Sequence, residues 1–244
     1  MKNIFENRKN FDVSIHYMVA LCGGFFGVYA VTSRMGNFGQ AQTTNLIEMV
    51  CSILGRNPAE GMLRVIAALL FMGGMIFATV LEKRTKRDLR YAAILLDLMA
   101  AAIIGFFPLS MNPIIALYPI FFAAAFQWCI FKGAKGYVSA TVFCSNNLKQ
   151  TTVSIVEYLL MSKDDPERKE KLQKAKFYGS TFFSFYIGVT AGYLLWILCG
   201  VHSIWFVALP LLVNFILITL DRREAESHFQ LQNATVQNAV SRKA

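Results

Sequence analysis

The chain has 244 residues, of which 55% are hydrophobic, 14% aromatic and only 16% charged, with a mean hydropathy of +0.45 and a formal net charge of +9. That balance excludes an ordinary soluble domain. The five cysteines (Cys22, Cys51, Cys129, Cys144, Cys199) stand singly with no C-x-x-C and no histidine at ligand spacing, which excludes a disulfide or zinc framework.

In chain order, apolar runs of the roughly 17 to 25 residues needed to cross a ~30 Å hydrocarbon core fall at 13–31, 62–81, 91–107, 113–130, 177–198 and 205–220. They predict an all-α integral membrane protein with six transmembrane helices. Lys2, Arg8 and Lys9 precede the first run as in a signal peptide, but the run is long for that role and no A-x-A-like site ends it. With the amino terminus inside, every Lys and Arg except Arg34, Arg56 and Arg64 falls in a cytoplasmic segment. The positive-inside bias therefore predicts both termini in the cytoplasm. It also accounts for the basic excess without a nucleic-acid partner.

The chain repeats itself. GNFGQAQTTNLIEMVCSIL (36–54) has a counterpart in GYVSATVFCSNNLKQTTVSIVEYL (136–160), and a shift of 102 residues lays Thr43-Thr44-Asn45-Leu46 over Ser145-Asn146-Asn147-Leu148. Two three-span units follow, 1–110 and 111–221, with a polar cytoplasmic tail, 222–244, expected to fray. Three spans is an odd number, so the second unit is expected upside down relative to the first, the inverted repeat of several transporter folds. Asn45 with Glu48, and Asn147 with Gln150, have capping-box spacing. Both predict a helix start after a broken span. The first such helix, 46–55, is about 15 Å long, half the hydrocarbon thickness, before Asn57-Pro58 breaks the chain. Two half-helix starts at the midplane would present orphan N–H groups and positive dipole ends to an anionic or hydrogen-bond-accepting solute.

Residues 24–30, 36–45, 125–128 and 141–148 resemble the G-x-x-D-A, G-x-F-x-x-x-x-T-G-N, G-x-Q-N and T-G-x-L segments of the YoaK-like family of bacterial inner-membrane proteins, catalogued as a domain of unknown function. Gly27 stands where that pattern has aspartate, Thr44 and Asn146 where it has glycine, and Trp128 where it has asparagine. The resemblance implies a six-span, transporter-like protein of the bacterial cell (inner) membrane and supplies no substrate.

The candidate solute-binding residues are Gln40, Gln42, Thr43, Thr44, Asn45 and Glu48 at the first break, Ser145, Asn146, Asn147 and Gln150 at the second, and Tyr29, Gln127 and Trp128 on the spans entering them. Capping and packing are the alternative roles. Asp97, in YAAILLDLMAAAIIGFF, is a proton-coupling candidate, because an ionisable group inside a span is costly and functional by default; pairing with Arg90 or Lys86 is its structural alternative. Asn214, at a similar depth in the last span, is either functional or an interhelical hydrogen-bonding residue. The leading function is a secondary transporter or facilitator for a small polar or anionic organic solute bound at the midplane between the repeats. A channel with the half-helices as filter and a membrane-embedded enzyme acting on a lipid-like substrate are the alternatives. No H-E-x-x-H, aspartate-rich pair or serine with a base is present, so no catalytic residue, cofactor or metal is expected. Membrane lipid and a small-molecule solute are the expected partners. The small-residue faces at Gly23, Gly24, Gly27 and Gly73-Gly74 suit close helix approach and are compatible with a homodimer.

Overall fold

The computed structural model describes residues 2–37, 40, 42–55 and 57–241; Arg56, Arg242 and Lys243, assigned above to one or other face of the membrane, lie outside the described residues. The elements are α1 (Lys2–Ser33), α2 (Gln42–Leu54), α3 (Pro58–Arg84), α4 (Arg90–Gly105), α5 (Pro113–Ala116), α6 (Tyr118–Ile130), β1 (Gly133–Ala134), β2 (Tyr137–Val138), α7 (Ser145–Leu160), α8 (Arg168–Cys199), a 3₁₀ helix (Gly200–Val207) and α9 (Ala208–Ser241). Among the described residues the fold is helical apart from one two-stranded hairpin. Among the described residues, three segments are long and apolar enough to cross a membrane: Phe11–Ser33, Pro58–Arg84, and Arg168–Ser227, which holds α8, the 3₁₀ helix and the first part of α9. Large apolar side chains such as Leu69, Ile76, Leu194, Ile197 and Ile216 are exposed along these helices. A surface of that kind belongs in lipid.

Two pairs of parallel helices form the body. His16 lies beside Phe177, Leu21 beside Gly188 and Phe25 beside Gly192, so α1 and α8 run the same way. Leu63 meets Tyr118, Gly74 meets Phe122 and Glu82 meets Lys132, so α3 and α6 also run together. The 3₁₀ helix and α9 together run antiparallel to α4, with Tyr91 on Phe215 of α9 at one end and Gly105 against Trp205 of the 3₁₀ helix at the other. Each short helix packs on the long one that follows it, α2 on α3 and α7 on α8.

Several boundaries differ from the sequence expectation. The run 113–130 is broken at Leu117 ahead of Pro119, giving α5 and α6. Proline has no N–H for an i−4 carbonyl and its ring crowds the preceding turn. The last run opens in a 3₁₀ helix after Gly200, whose φ is 57°. The tail expected to fray instead continues α9 to Ser241; Arg222 and Glu226, 2.8 Å apart at i,i+4, and a run of good helix formers extend it. The hairpin was not anticipated. Its two-residue turn, Lys135-Gly136, has positive φ at both positions, 54° and 83°, the primed geometry that short hairpins require.

Candidate functional site

Helix α1 stops in a tight turn, with Met35 at φ 55° and Gly36 at φ 77°. Arg34 is buried there at 1% exposure and donates from Nη1 to Pro108 O (3.0 Å) and from Nη2 to Phe107 O (3.2 Å). Those carbonyls lie just beyond the end of α4; Pro108 O also accepts from Met111 N at 3.1 Å. Arg34 thus ties the ends of α1 and α4 together.

Beside this turn opens a cleft of about 500 Å³ between α2, α3 and the start of α5; Asn37, Glu48, Glu60, Arg64 and Asn112 supply its polar lining. A narrower recess of about 10 Å³ continues past Thr44, Asn45 and Arg64 to Phe121, room for one water molecule. Arg64 is 5% exposed. Its Nη2 is 2.7 Å from Glu48 Oε2 and 2.8 Å from Glu60 Oε1. Its Nε donates to the same Glu60 oxygen at 3.3 Å. Asn57 Nδ2 donates to the other Glu60 oxygen at 2.9 Å, while Asn57 Oδ1 accepts from Glu60 N at 3.3 Å.

The reciprocal cap expected at Asn45 is therefore at Asn57 and Glu60, at the start of α3. Asn45 lies inside the first turn of α2, and its Nδ2 donates to Arg64 O and to Gln42 Oε1, both at 3.3 Å. Asn147 likewise lies inside α7, which starts at Ser145 with no side-chain cap. Its Oδ1 accepts from Ser139 Oγ (2.8 Å) and its Nδ2 donates to Ala140 O (2.9 Å), with the side chain fully buried. Both asparagines are turned inward to satisfy groups on a neighbouring segment. An Asn147→Ala protein leaves two buried groups unpaired, and its melting temperature should fall by the equivalent of about 1–3 kcal/mol; an unchanged value in a detergent melt would contradict this role.

The two breaks are not equivalent in surroundings. Thr44, Asn45 and Glu48 line the cleft or its recess. Gln42 reaches it through Asn45, Thr43 faces outward among apolar residues, and Gln40 is fully buried with both side-chain atoms unpartnered among the described residues. At the second break, Ser145 and Asn146 are exposed and Gln150 half-buried. Thr141 O there packs against Gly23 in the middle of α1. Gln127, buried, donates to Val19 O at 3.5 Å, close to the same part of α1. Trp128 packs edge-on to Phe143, with its centroid 4.7 Å away, and is tilted on Phe71. Tyr29 is buried, with its hydroxyl near the Arg34 guanidinium.

Asp97 is 1% exposed and its Oδ2 has no hydrogen-bond partner among the described residues. Its alternative partner, Arg90, is engaged elsewhere, with Asp12, Asp88 and Asp221. Asn214 on α9 is fully buried with both side-chain atoms unpartnered among the described residues. The sequence reading missed Arg64 and Glu60. Arg64 was counted only toward orientation, although it stands inside the apolar run 62–81 with Glu60 four residues before it.

Residues 15–217 match the model of a family described as a protein of unknown function, DUF1275. No curated protein and no solved structure matches the chain.

Proposed function

We propose that this chain, which belongs to the DUF1275 family of proteins of unknown function, is a membrane carrier, a secondary transporter or facilitator that moves a small polar or anionic organic solute through the cleft between its two halves. Fold alone does not imply function, so the reading rests on the site. The observation that carries it is Arg64, a nearly buried guanidinium at an open cleft whose walls come from both halves, Glu48 and Arg64 from the first and Asn112 and Ile114 from the second. A charge held in an apolar span at such a place has a functional purpose by default.

The packing supports two inverted three-span units with six crossings. Exchanging the halves turns the parallel pair α1 and α8 into the parallel pair α6 and α3, and the pair α2 on α3 into α7 on α8. The end of α1 meets the starts of α3 and α5 at the cleft, so α1 opposes α3 in direction, and alternation of the long helices puts both termini on one side. The basic residues support the reading of that side as the cytoplasm, in a multi-pass protein of the bacterial inner membrane, as the YoaK-like resemblance implies. Rocking of one unit against the other would then carry the solute across, with Asp97 as the group available for proton coupling.

Uptake of radiolabelled solutes by purified protein in liposomes tests the reading. Saturable uptake of one solute class, lowered in a Glu48→Gln protein, is the expected result. Flux linear in concentration would favour the channel, and no uptake across anionic, cationic, zwitterionic and neutral solutes would overturn the carrier.

A further inference from the structure

The charges at the cleft narrow the solute class. Glu60 is spent on Arg64: one oxygen takes both Nε and Nη2, and the other is held by Asn57. Glu48 shares Nη2 but is half exposed, with 51% of its side-chain surface open. It presents a carboxylate toward the cleft that no guanidinium holds alone. Arg64 Nη1, on a side chain more than nine-tenths buried, takes part in none of these bonds. Across the cleft, Asn112 spends its Oδ1 on the N–H groups of Ile114 and Ile115, which leaves its Nδ2 as a donor. Arg34, next to the lining residue Met35, has no carboxylate partner among the described residues and adds a second buried positive charge.

A lone anion entering this cleft meets the Glu48 carboxylate, and a lone cation meets the Arg64 guanidinium. Each is disfavoured by a like charge at short range. A solute carrying both charges meets neither penalty: its carboxylate takes Arg64 Nη1 and the Asn112 amide, and its ammonium takes Glu48. Charge-assisted bonds of this kind are the strong ones. Because Glu48 and Nη1 flank a single guanidinium, the two charges of the solute must be close together.

We propose that the Arg64 cleft binds a small zwitterion of the amino-acid type, with carboxylate and ammonium on the same or adjacent carbons. The inference deepens the carrier reading and rests on it for the solute's passage, although binding is testable by itself.

Thermal stability of the full chain in detergent is measured with each of the common amino acids at millimolar concentration, and with propionate and ethylamine as the one-charge halves of alanine. A ligand bound only by the folded state raises Tm. The expected result is a rise with one or more amino acids, none with either half, and about a tenfold weaker apparent affinity in the Glu48→Gln protein, the loss of one charge-assisted bond. Arg64→Lys keeps a positive charge but lacks the fork, and should lose the response while Glu48→Gln, a conservative change on a half-exposed side chain, still folds. A rise with propionate equal to that with any amino acid, a rise with ethylamine equal to it, or no rise with any amino acid overturns the zwitterion site. Binding with the expected Glu48 dependence but no liposome uptake would leave the site standing and remove the carrier reading. Uptake of simple anions with no amino-acid response would do the opposite.

Discussion

Gly188→Ala should abolish the folded protein. A Cβ at Gly188 would land on the carbonyl oxygen of Leu21, and one at Gly24 on that of Phe185. The two contacts face each other across the α1 and α8 interface, and both involve backbone, which has no rotamer through which to yield. Gly188 and Gly192 form a small-x-x-x-small face on α8 that lets the helices approach this closely. Separating them would forfeit the packing of the whole pair, so the cost should reach or exceed the upper end of the ~1–3 kcal/mol usual for overpacked cores. Gly73 is the control, because nothing lies within 4 Å of a Cβ there. Gly73→Ala should leave the protein as stable as before or raise its stability by up to about 1 kcal/mol through helix propensity. Size-exclusion profiles and melting temperatures in detergent check both, and similar behaviour of the two variants would contradict the close-approach account.

Arg90→Ala should be nearly as damaging, for electrostatic reasons. Arg90 joins three helices at one end of the bundle: Nη2 is 2.8 Å from Asp221 on α9 and 2.7 Å from Asp88, and Nη1 is 3.5 Å from Asp12 on α1. Asp221 has only 4% of its side chain exposed. Removing the arginine leaves that carboxylate buried without a counter-charge, a loss typically worth about 3–5 kcal/mol. Arg90 itself is about one-quarter exposed, so screening places the expected loss near the lower end. Arg90→Ala with Asp221→Asn should recover most of it. Burial alone would raise the Asp88 carboxyl, but its hydrogen bonds to Arg90 and that residue's charge outweigh burial and hold it below the usual carboxylate range. A carboxyl lowered on folding adds stability above its unfolded value, and that stability is lost as pH falls through the folded one. The junction should therefore hold at mildly acid pH and weaken only below the ordinary carboxylate range. Melting temperatures of both proteins across that range test this; an Arg90→Ala protein with an unaltered acid profile would contradict it.

Much of the architecture was legible because length and hydrophobicity act locally. The six apolar runs fall in helical segments, one of them broken at Leu117, and the turn at 34–37 and the segment 139–144 interrupt the helices ahead of α2 and α7. The misplaced caps show where local reading ends: Asn45 and Asn147 have the same spacing to an acid or amide as Asn57 has to Glu60. Only the last pair caps a helix, because Asn57 sits ahead of Pro58 in a real helix entrance whereas the other two face neighbours that no spacing reveals. Arg64 was hidden for a related reason. The cleft around it is completed by Glu48, on another helix, and by Asn112, far along the chain. The expectation of an anionic or hydrogen-bond-accepting solute followed from orphan N–H groups and dipole ends at two helix starts, while the ion pairs of Arg64 with Glu48 and Glu60 add charges that helix spacing does not show.

The most direct test of solute passage between the halves is to tether them. Cysteines at Asn37 and Asn112, both lining the cleft, are placed in a protein whose five native cysteines are serine, reconstituted into liposomes and bridged by a bifunctional methanethiosulfonate. Uptake should stop on bridging and return on reduction, while either single cysteine treated alike keeps transporting. Uptake that continues at full rate through the bridged protein would contradict a path that opens between the halves.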